Sequence, residues 1–266
     1  MKGRVLIIAG SDSGGGAGIQ ADIKSVTAMG AFAMTAITAL TAQNTLGVHG
    51  VVPIEPAFIT QQIDVVLTDI GADAIKTGML HSAEVIAAVA ASLRVRARGA
   101  PLVVDPVMVA NGGHRLLLGD AEAALRDTLL PMAALVTPNL PEAEVLTGLP
   151  VRVEADMRRA AERLARLGAS AVLMKGGHLE GDRVIDLLFY EGRMERFEDA
   201  RIASRSTHGT GCTLASAIAA GIAQSMPLVE AVARARAYVR RAIETAPGYG
   251  RGHGPLNHAA TEWTHF

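Results

Sequence analysis

Residues 206–213 read Ser-Thr-His-Gly-Thr-Gly-Cys-Thr and run without a break into the segment 214–223. That segment is apolar on nearly every side, which predicts a buried helix. Two glycines and several small hydroxyl residues therefore stand where the helix begins. Free N–H groups and the positive end of the helix dipole are found at such a start. The composition is typical of a backbone cradle for a phosphate or another anion.

Cys212 is the only cysteine of the chain and falls in the first turn of the predicted helix. A thiol at a helix N-terminus is expected to have a lowered pKa, so that it can accept a proton or a hydrogen bond. The alternative is a glycine-rich turn before a core helix, with Cys212 as a small buried hydrophobic residue.

The composition points to an aliphatic core and excludes several classes of protein. Of the 266 residues, 50% are hydrophobic but only 3% are aromatic, which fits helices packed on a parallel sheet. The net charge is −1 and no run of lysine or arginine exceeds two residues, which excludes the basic footprint of a nucleic-acid binder. One cysteine allows no internal disulfide.

No targeting or membrane segment is expected from the sequence. The apolar run at residues 5–9 is too short for a signal peptide, and no uninterrupted apolar stretch approaches the ~20 residues of a membrane helix. The expectation is a cytoplasmic protein with neither a nucleic-acid nor a membrane partner.

Short aliphatic strands alternate with helical segments along nearly the whole chain. This alternation predicts one α/β domain over residues 1–266, a three-layer αβα sandwich with a mostly parallel central sheet. A hairpin is predicted at residues 184–190 and 194–197, and a glycine-rich loop at residues 10–18 follows the first strand. The other predicted strands are residues 4–9, 33–41, 74–79, 101–105, 135–139 and 171–175. The predicted helices are residues 19–30, 56–68, 82–93, 121–130, 141–147, 154–167, 214–223 and 228–244.

Unusual residues collect where the predicted strands end, which is the edge where ligands bind in such sheets. They are Gly10, Gln43, Met79, Asp105, Asn139 and Lys175. The common nucleotide fingerprints fail: the dinucleotide pattern would need glycine at Ile19, and the dipeptide Gly-Lys of the other phosphate loop does not occur.

The motifs, in order, resemble those of the ribokinase superfamily and specifically the hydroxymethylpyrimidine/phosphomethylpyrimidine kinases of thiamine biosynthesis. The matching segments are residues 8–22, 41–44, 76–79, 105–108, 137–142, 175–177, 208–212 and 252–258. The resemblance implies a ribokinase-like fold and a homodimer. It also implies ATP-dependent phosphorylation of 4-amino-5-hydroxymethyl-2-methylpyrimidine to its monophosphate, and then of the monophosphate to the diphosphate.

The resemblance also implies catalytic roles. Backbone amides of Gly209, Thr210, Gly211 and Cys212 would receive the γ-phosphate of ATP, and Cys212 would accept the proton of the substrate hydroxymethyl group.

For the nucleotide and its metal, the resemblance implies that Lys175, Asn139 and Thr210 bind ATP. Glu142 would act through Mg²⁺ and its waters, and Asp105 could share the ion. From the residues alone, Glu142 could instead be a surface carboxylate, Asp105 the cap of a turn, and Lys175 a solvated lysine.

For the pyrimidine, Gln43 offers an amide donor and acceptor that can contact a ring nitrogen and an exocyclic amine together. The resemblance implies that Gly10, Ala17, Asp22, Met79 and Val107 form the rest of the pocket. Asp22 could instead be an exposed helix charge, and Met79 a core residue.

Residues 110–114 depart from the family pattern, because this flap usually carries a lysine and here reads Ala-Asn-Gly-Gly-His. His114 is the candidate replacement for that cationic contact. Two other functions stay open: a pyridoxine/pyridoxal kinase on the same scaffold, and a catalytically silent binding or regulatory protein. Redox sensing by Cys212 is a third, weaker alternative.

Overall fold

The computed structural model describes residues 1–109, 113, 116–117 and 119–260, so most of the flap at 110–114, His114 included, lies outside the described residues. The strands are β1 (Arg4–Ala9), β2 (Phe32–Ile37), β3 (Ala39–Asn44), β4 (Gly47–Pro53), β5 (Ala74–Thr77), β6 (Leu102–Val104), β7 (Leu135–Val136), β8 (Ala171–Met174), β9 (Arg183–Tyr190) and β10 (Arg193–Ala200). The α-helices are α1 (Gly18–Ala28), α2 (Pro56–Asp69), α3 (Ala83–Arg96), α4 (Ala121–Ala124), α5 (Leu140–Thr147), α6 (Glu154–Arg166), α7 (Thr210–Ala223) and α8 (Leu228–Glu244).

Eight of the described strands form one sheet in the order β10-β9-β8-β7-β6-β5-β1-β2. The pairs from β2 to β8 are all parallel, and β9 is antiparallel to both of its neighbours. The mostly parallel sheet and the predicted hairpin β9–β10 are therefore confirmed.

Helices cover both faces of this sheet. Along β1, Leu6 and Ile8 belong to a core shared with α2, α3, α5 and α6, whereas Val5 and Ile7 belong to a second core shared with α1, α7 and α8. Because side chains alternate between the faces of a strand, a strand buried on both sides is apolar throughout. The predicted three-layer αβα architecture is confirmed.

The sequence predicted one strand at residues 33–41. The structure has two strands there, β2 and β3, which are separated by Thr38. The Thr38 hydroxyl donates to the carbonyl oxygen of Met79 at 2.7 Å, while its backbone joins Ala9 and Ile54. This buried residue turns the chain out of the main sheet, so that β3 pairs with β4 in a separate two-stranded sheet. The sequence did not predict β4, because its mostly exposed residues and two glycines carry no apolar alternation.

The sequence predicted one regular helix at residues 121–130, and the structure does not have one there. After the short α4, residues Leu125–Leu129 form a π-helical turn and Leu130–Met132 a 3₁₀ turn that contains Pro131. Proline cannot donate a backbone hydrogen bond, which is consistent with a change of winding there. Within the described part of the chain, no helix is both long and apolar enough to cross a membrane.

Candidate active site

A cleft of about 470 Å³ runs along the carboxyl edge of the parallel strands, and nearly all of the predicted site residues line it. It brings together Gly10, Ala17, Gln43, Met79, Asp105, Val107, Asn139, Glu142, Lys175, Gly209, Thr210, Gly211 and Cys212. The strand ends and the start of α7 thus meet at one surface, as expected for an open parallel sheet.

The start of α7 has the form of an anion cradle. Gly209 precedes the helix with φ at 81°, and a Cβ atom there would overlap the carbonyl oxygen of Gly16. The first regular helical hydrogen bond is donated by Thr213 to Gly209, so the amides of Gly211 and Cys212 come before it. Such amides at a helix start are the donors that bind anions.

Cys212 is half-buried, and its thiol is not acidified as the sequence predicted. Burial raises the pKa of the Cys212 thiol to about 12, and the charges of Asp22 and Asp105 add to that effect against the opposing charge of Lys76. The prediction of a lowered pKa is wrong because desolvation outweighs the helix N-terminus here. At neutral pH the thiol holds its proton.

Lys175 is paired, not solvated. Its ammonium lies 2.9 Å from Asp105 Oδ1 and 3.9 Å from Glu142 Oε2, and the Thr137 hydroxyl donates to the same Asp105 oxygen at 3.0 Å. Burial lowers the pKa of Lys175, but the two carboxylates raise it above its usual value. A fixed cation therefore lies in the cleft beside two buried carboxylates.

Asn139 and Glu142 form a capping box at the start of α5. Asn139 Oδ1 accepts from the Glu142 amide at 2.9 Å, and Glu142 Oε2 accepts from the Asn139 amide at 2.8 Å. The cap uses one oxygen of each side chain. The Glu142 carboxylate also accepts from the Met108 backbone amide, and among the described residues no partner is found for the Asn139 NH₂ group, which can therefore contact a ligand.

The acidic residues fit a hydrated divalent cation but not a cage made by the protein alone. Burial raises the pKa of Glu142 to about 7, with Asp105 adding to the rise and Lys175 opposing it, so a further positive charge is favourable at this carboxyl group. Among the described residues no group of three or more His, Cys, Asp or Glu side chains is arranged to hold a metal. Mg²⁺ usually keeps several waters, which suits one or two carboxylates.

Asp22 does not line the cleft, in contrast to the pocket role that the sequence predicted. It is fully buried on α1, where both carboxylate oxygens lie 2.9 Å from Lys76 Nζ and Ser216 Oγ donates to Oδ1 at 2.7 Å. It is not an exposed helix charge either. Lys76 does line the cleft, and Asp22 is the buried counterion that its buried ammonium requires.

The pyrimidine end of the predicted site contains Gln43, Met79, Gly10, Ala17 and Val107. A Cβ atom at Gly10 would overlap Met79 Cε, so the glycine lets the methionine lie across the cleft floor. Gln43 follows a bulge in β3, where the register against β4 shifts between Ala42 and Gln43. Its backbone is fixed by Ser13, whose hydroxyl accepts from the Gln43 amide at 2.8 Å.

Sequence reasoning missed Asp12 and His208, which join the glycine loop to the start of α7. His208 Nε2 lies 2.8 Å from Asp12 Oδ2 and 3.3 Å from Gln43 Nε2. The side chains of Asp12 and His208 are buried. Asp12 lies in the motif at residues 8–22 and His208 in the motif at residues 208–212. The glycines of these motifs indicated a phosphate site, and neither side chain was given a role. Only the folded chain brings positions 12 and 208 together.

The sequence also missed the far end of the cleft, which β9, β10 and α8 form. Arg236 donates to Asp186 at 2.7 Å, lies 3.0 Å from Asp199, and has its guanidinium 5.3 Å from the Phe197 ring centre. Apolar side chains line the cleft beside it, namely Val184, Ile202, Val239 and Ile243. No local motif marks these positions, since they come from separate elements.

A profile of the phosphomethylpyrimidine kinase family matches residues 12–257. The chain is 55% identical over 257 residues to the thiamine biosynthesis bifunctional protein of Geobacter sulfurreducens. The match covers 97% of this chain but only about half (52%) of that protein. It is 49% identical over 266 residues to the hydroxymethylpyrimidine/phosphomethylpyrimidine kinase of Rhizobium meliloti, covering 99% of each chain.

Among solved structures, the pyridoxal kinase of Staphylococcus aureus in complex with AMP-PCP superposes on this chain with a TM-score of 0.91. The two sequences are 35% identical, and the match covers 99% of this chain and 96% of that one. The likeness confirms the ribokinase-like kinase fold. That neighbour holds an ATP analogue, AMP-PCP.

Proposed function

The chain belongs to the phosphomethylpyrimidine kinase family, and from this premise we propose how the residues of the cleft carry out its reaction. The reaction is the ATP-dependent phosphorylation of 4-amino-5-hydroxymethyl-2-methylpyrimidine to its monophosphate and then to the diphosphate, in thiamine biosynthesis. The observation that carries the assignment of roles is the shared cleft: the start of α7, Lys175 and Cys212 line the same surface as Gln43.

The start of α7 receives the phosphoryl group that is transferred. The transition state of phosphoryl transfer is loose, so catalysis depends on fixed positive charge and alignment more than on covalent chemistry. Amides of Gly209, Gly211 and Cys212 supply fixed donors, the Thr210 amide adds to them beyond its long 3.4 Å hydrogen bond to the Thr207 carbonyl oxygen, and the Lys175 ammonium adds a positive charge at the same edge. Asn139 contacts the nucleotide through its side-chain NH₂ group, since its Oδ1 atom is used in the capping box.

Cys212 orients the substrate hydroxymethyl group and accepts its proton. The acceptor is the thiolate form, which the buried charge of Lys76 favours and which burial makes scarce. A thiolate of such a weakly acidic thiol is a strong base, and a loose transition state requires little deprotonation before bond formation. In the molecules whose Cys212 is ionised, the proton of the alcohol passes to the thiolate as the phosphoryl group arrives.

Gln43 contacts the pyrimidine through its amide, with Gly10, Ala17, Met79 and Val107 forming the walls of the pocket. Asp22 acts from beneath by holding Lys76 in its charged state. Mg²⁺ is the expected metal, held through water by Glu142 and Asp105, and when bound it would neutralise negative charge on the phosphates of ATP.

The proposed activity is tested with the purified protein, MgATP and the pyrimidine alcohol. We expect ADP release together with the monophosphate first and the diphosphate later, resolved by phosphorus NMR. Absence of ADP release with this alcohol, in a folded preparation, would refute the assignment.

Vitamin B6 kinase activity is the second candidate, because the cleft lies on a fold that superposes closely on a pyridoxal kinase. Both alcohols are compared in one preparation at equal MgATP. A higher kcat/KM for pyridoxal than for the pyrimidine would make the B6 reaction the main one.

We also infer a single-domain, cytoplasmic homodimer that acts on small molecules and has no nucleic-acid or membrane partner, on the basis of the composition and the family resemblance. Light scattering behind size-exclusion chromatography measures the mass directly, and a single thermal transition is expected for one domain. A monomeric mass or two separate transitions would contradict these expectations.

A further inference from the structure

His208 lies where four segments of the chain meet. Its ring contacts Asp12 in the glycine loop and Gln43 at the end of β3. Its backbone amide donates to the carbonyl oxygen of Gly254 at 3.1 Å, and Gly209 follows it at the start of α7. The backbone of His208 therefore has a hydrogen bond of its own, separate from the contacts that the ring makes with Asp12 and Gln43.

Asp12 fixes the proton on the ring. Its carboxylate accepts from the amides of Gly14, Gly16 and Ala17 at 2.8, 3.0 and 2.8 Å, as well as from His208. Burial raises the pKa of Asp12, but the hydrogen bonds from His208 and the backbone amides outweigh it and leave that pKa below its usual value. An ionised carboxylate can only accept, so His208 Nε2 must carry a hydrogen.

Thr41 fixes the other side of the Gln43 amide. Its hydroxyl donates to the carbonyl oxygen of Ser11 at 2.8 Å, and the same oxygen lies 3.3 Å from Gln43 Oε1. A hydroxyl has one hydrogen, so toward Gln43 the Thr41 oxygen acts as an acceptor. The amide of Gln43 therefore spans a donor, His208 Nε2, and an acceptor, Thr41 Oγ1.

Only one orientation of the amide satisfies both neighbours. With the nitrogen against His208, two N–H donors would oppose each other. With the oxygen against His208, the oxygen shares the Nε2 hydrogen that Asp12 accepts at 2.8 Å, as the longer, 3.3 Å arm of a bifurcated hydrogen bond, and the nitrogen donates to Thr41. The hydrogen-bond network, not the shape of the side chain, decides such an orientation. One N–H and one lone pair of the amide then remain for a ligand.

We propose that His208, held by Asp12, is a positioning residue that fixes the amide of Gln43 and so sets the preference of the cleft for an aminopyrimidine over a pyridine alcohol. This rests on the proposed role of Gln43 as the pyrimidine contact. An aminopyrimidine offers a ring-nitrogen acceptor next to an amine donor, which a fixed amide contacts with both of its free groups. A pyridoxal ring has no such adjacent pair, and a site built for hydrogen bonds discriminates against a ligand that lacks them.

The test compares His208→Leu with His208→Gln, because the glutamine amide can still donate from a position near Nε2. KM and kcat are measured for the pyrimidine alcohol, for pyridoxal and for ATP. For His208→Leu we expect KM for the pyrimidine to rise about tenfold, because the Gln43 amide is no longer fixed and the substrate loses about one well-placed hydrogen bond. KM for ATP should change less than about twofold. The ratio of kcat/KM for pyrimidine over pyridoxal should fall by the same factor, and His208→Gln should restore most of it.

Thr41→Val supplies a second test that leaves His208 intact and keeps the side-chain shape. It releases the same amide from its other neighbour, so the selectivity ratio should fall as it does in His208→Leu. Equal losses for pyrimidine and pyridoxal, a rise in KM for ATP of similar size, or an unchanged ratio in Thr41→Val would overturn the proposal. Wild-type protein that is inactive on the pyrimidine would instead overturn the proposed function, so the two failures are distinguishable.

Discussion

At the scale of single residues, Cys212 is subject to two opposed effects. The start of α7 favours a negative charge on its sulfur, whereas desolvation and the carboxylates of Asp22 and Asp105 disfavour one, and the pKa of about 12 records which is larger. The sequence could indicate the helix start because the glycines and the apolar run are local. It could not indicate the burial or the neighbouring charges, which come from α1 and β6.

Replacing Cys212 should separate the two phosphorylation steps. The first acceptor is an alcohol that must lose a proton, whereas the second is a phosphate monoester with a second pKa near 6 that arrives ionised. In Cys212→Ala we expect kcat for the first step to fall by ~10²–10⁴-fold, with little change in KM, and the second step to fall by less than about tenfold. Single-turnover assays with each acceptor measure both. Equal losses in the two steps, or near-normal turnover of the alcohol, would show that sulfur is not the proton acceptor.

Glu142→Gln should weaken the dependence of turnover on Mg²⁺. The variant keeps an oxygen for the capping box but loses the charge that the proposal assigns to the hydrated ion. The Mg²⁺ concentration for half-maximal rate should rise about tenfold at saturating ATP, the order expected for loss of an outer-sphere metal contact. Glu162→Gln on the exposed face of α6 is the control. Overlapping Mg²⁺ titrations of wild type and Glu142→Gln would refute the assignment.

At the scale of elements, Gly209 links α7 to the glycine loop. Its left-handed backbone and its contact with the carbonyl oxygen of Gly16 leave no room for a side chain. The sequence predicted the cradle at this helix start but not its neighbour, because Gly16 and Gly209 are far apart in the chain. The same limit explains Asp22: its place in a motif predicted a role in the pocket, but only the packing of α1 against α7 and the ion pair with Lys76 of β5 show that it is buried.

Gly209→Ala should therefore cost activity far beyond its cost in stability. A matched control is Gly192→Ala in the exposed β9–β10 turn, which shares the left-handed backbone, with φ at 73°, but has open space around its Cβ. Both variants should lose about 1–2 kcal/mol from the backbone strain alone. Only Gly209→Ala should also lose at least about 100-fold in kcat, because its start of α7 must move away from the glycine loop. Similar activity losses in both variants would argue against the cradle.

At the scale of the whole molecule, the alternation of aliphatic strands and helices was enough to predict the three layers, because most strand ends and helix starts are marked locally. The hairpin β3–β4 was not predicted, since its place depends on Thr38 and Met79 meeting in the fold. Residues 252–258 were recognised only as a motif. In the structure they return to the start of α7, where Pro255 forms a β-bridge with His208 and His258 lies within hydrogen-bond distance of Thr213.

Buried His258 should make stability fall with acid. Its Nε2 lies 3.0 Å from the Thr213 hydroxyl, and burial, with Lys24 and His208 adding, lowers the pKa of His258 to about 4. The unfolded chain binds this proton near pH 6.5, so the stabilisation is present above that pH and is lost as pH falls toward 4. From pH 7 to pH 5 this group should cost about 2 kcal/mol. Urea unfolding of wild type and His258→Gln at both values measures it, and parallel losses in the two proteins would contradict it.

The pairing of Asp12 with His208 joins positions 196 residues apart, and the backbone partner of His208 lies further on, at Gly254. During translation, a nascent chain that has left the ribosome as far as β8 already holds all the strands of the parallel sheet. It still lacks His208, the start of α7 and the other residues that complete the cleft. Contacts of such long range form late and slowly. The cleft is thus completed only after residues 208–254 have been synthesised.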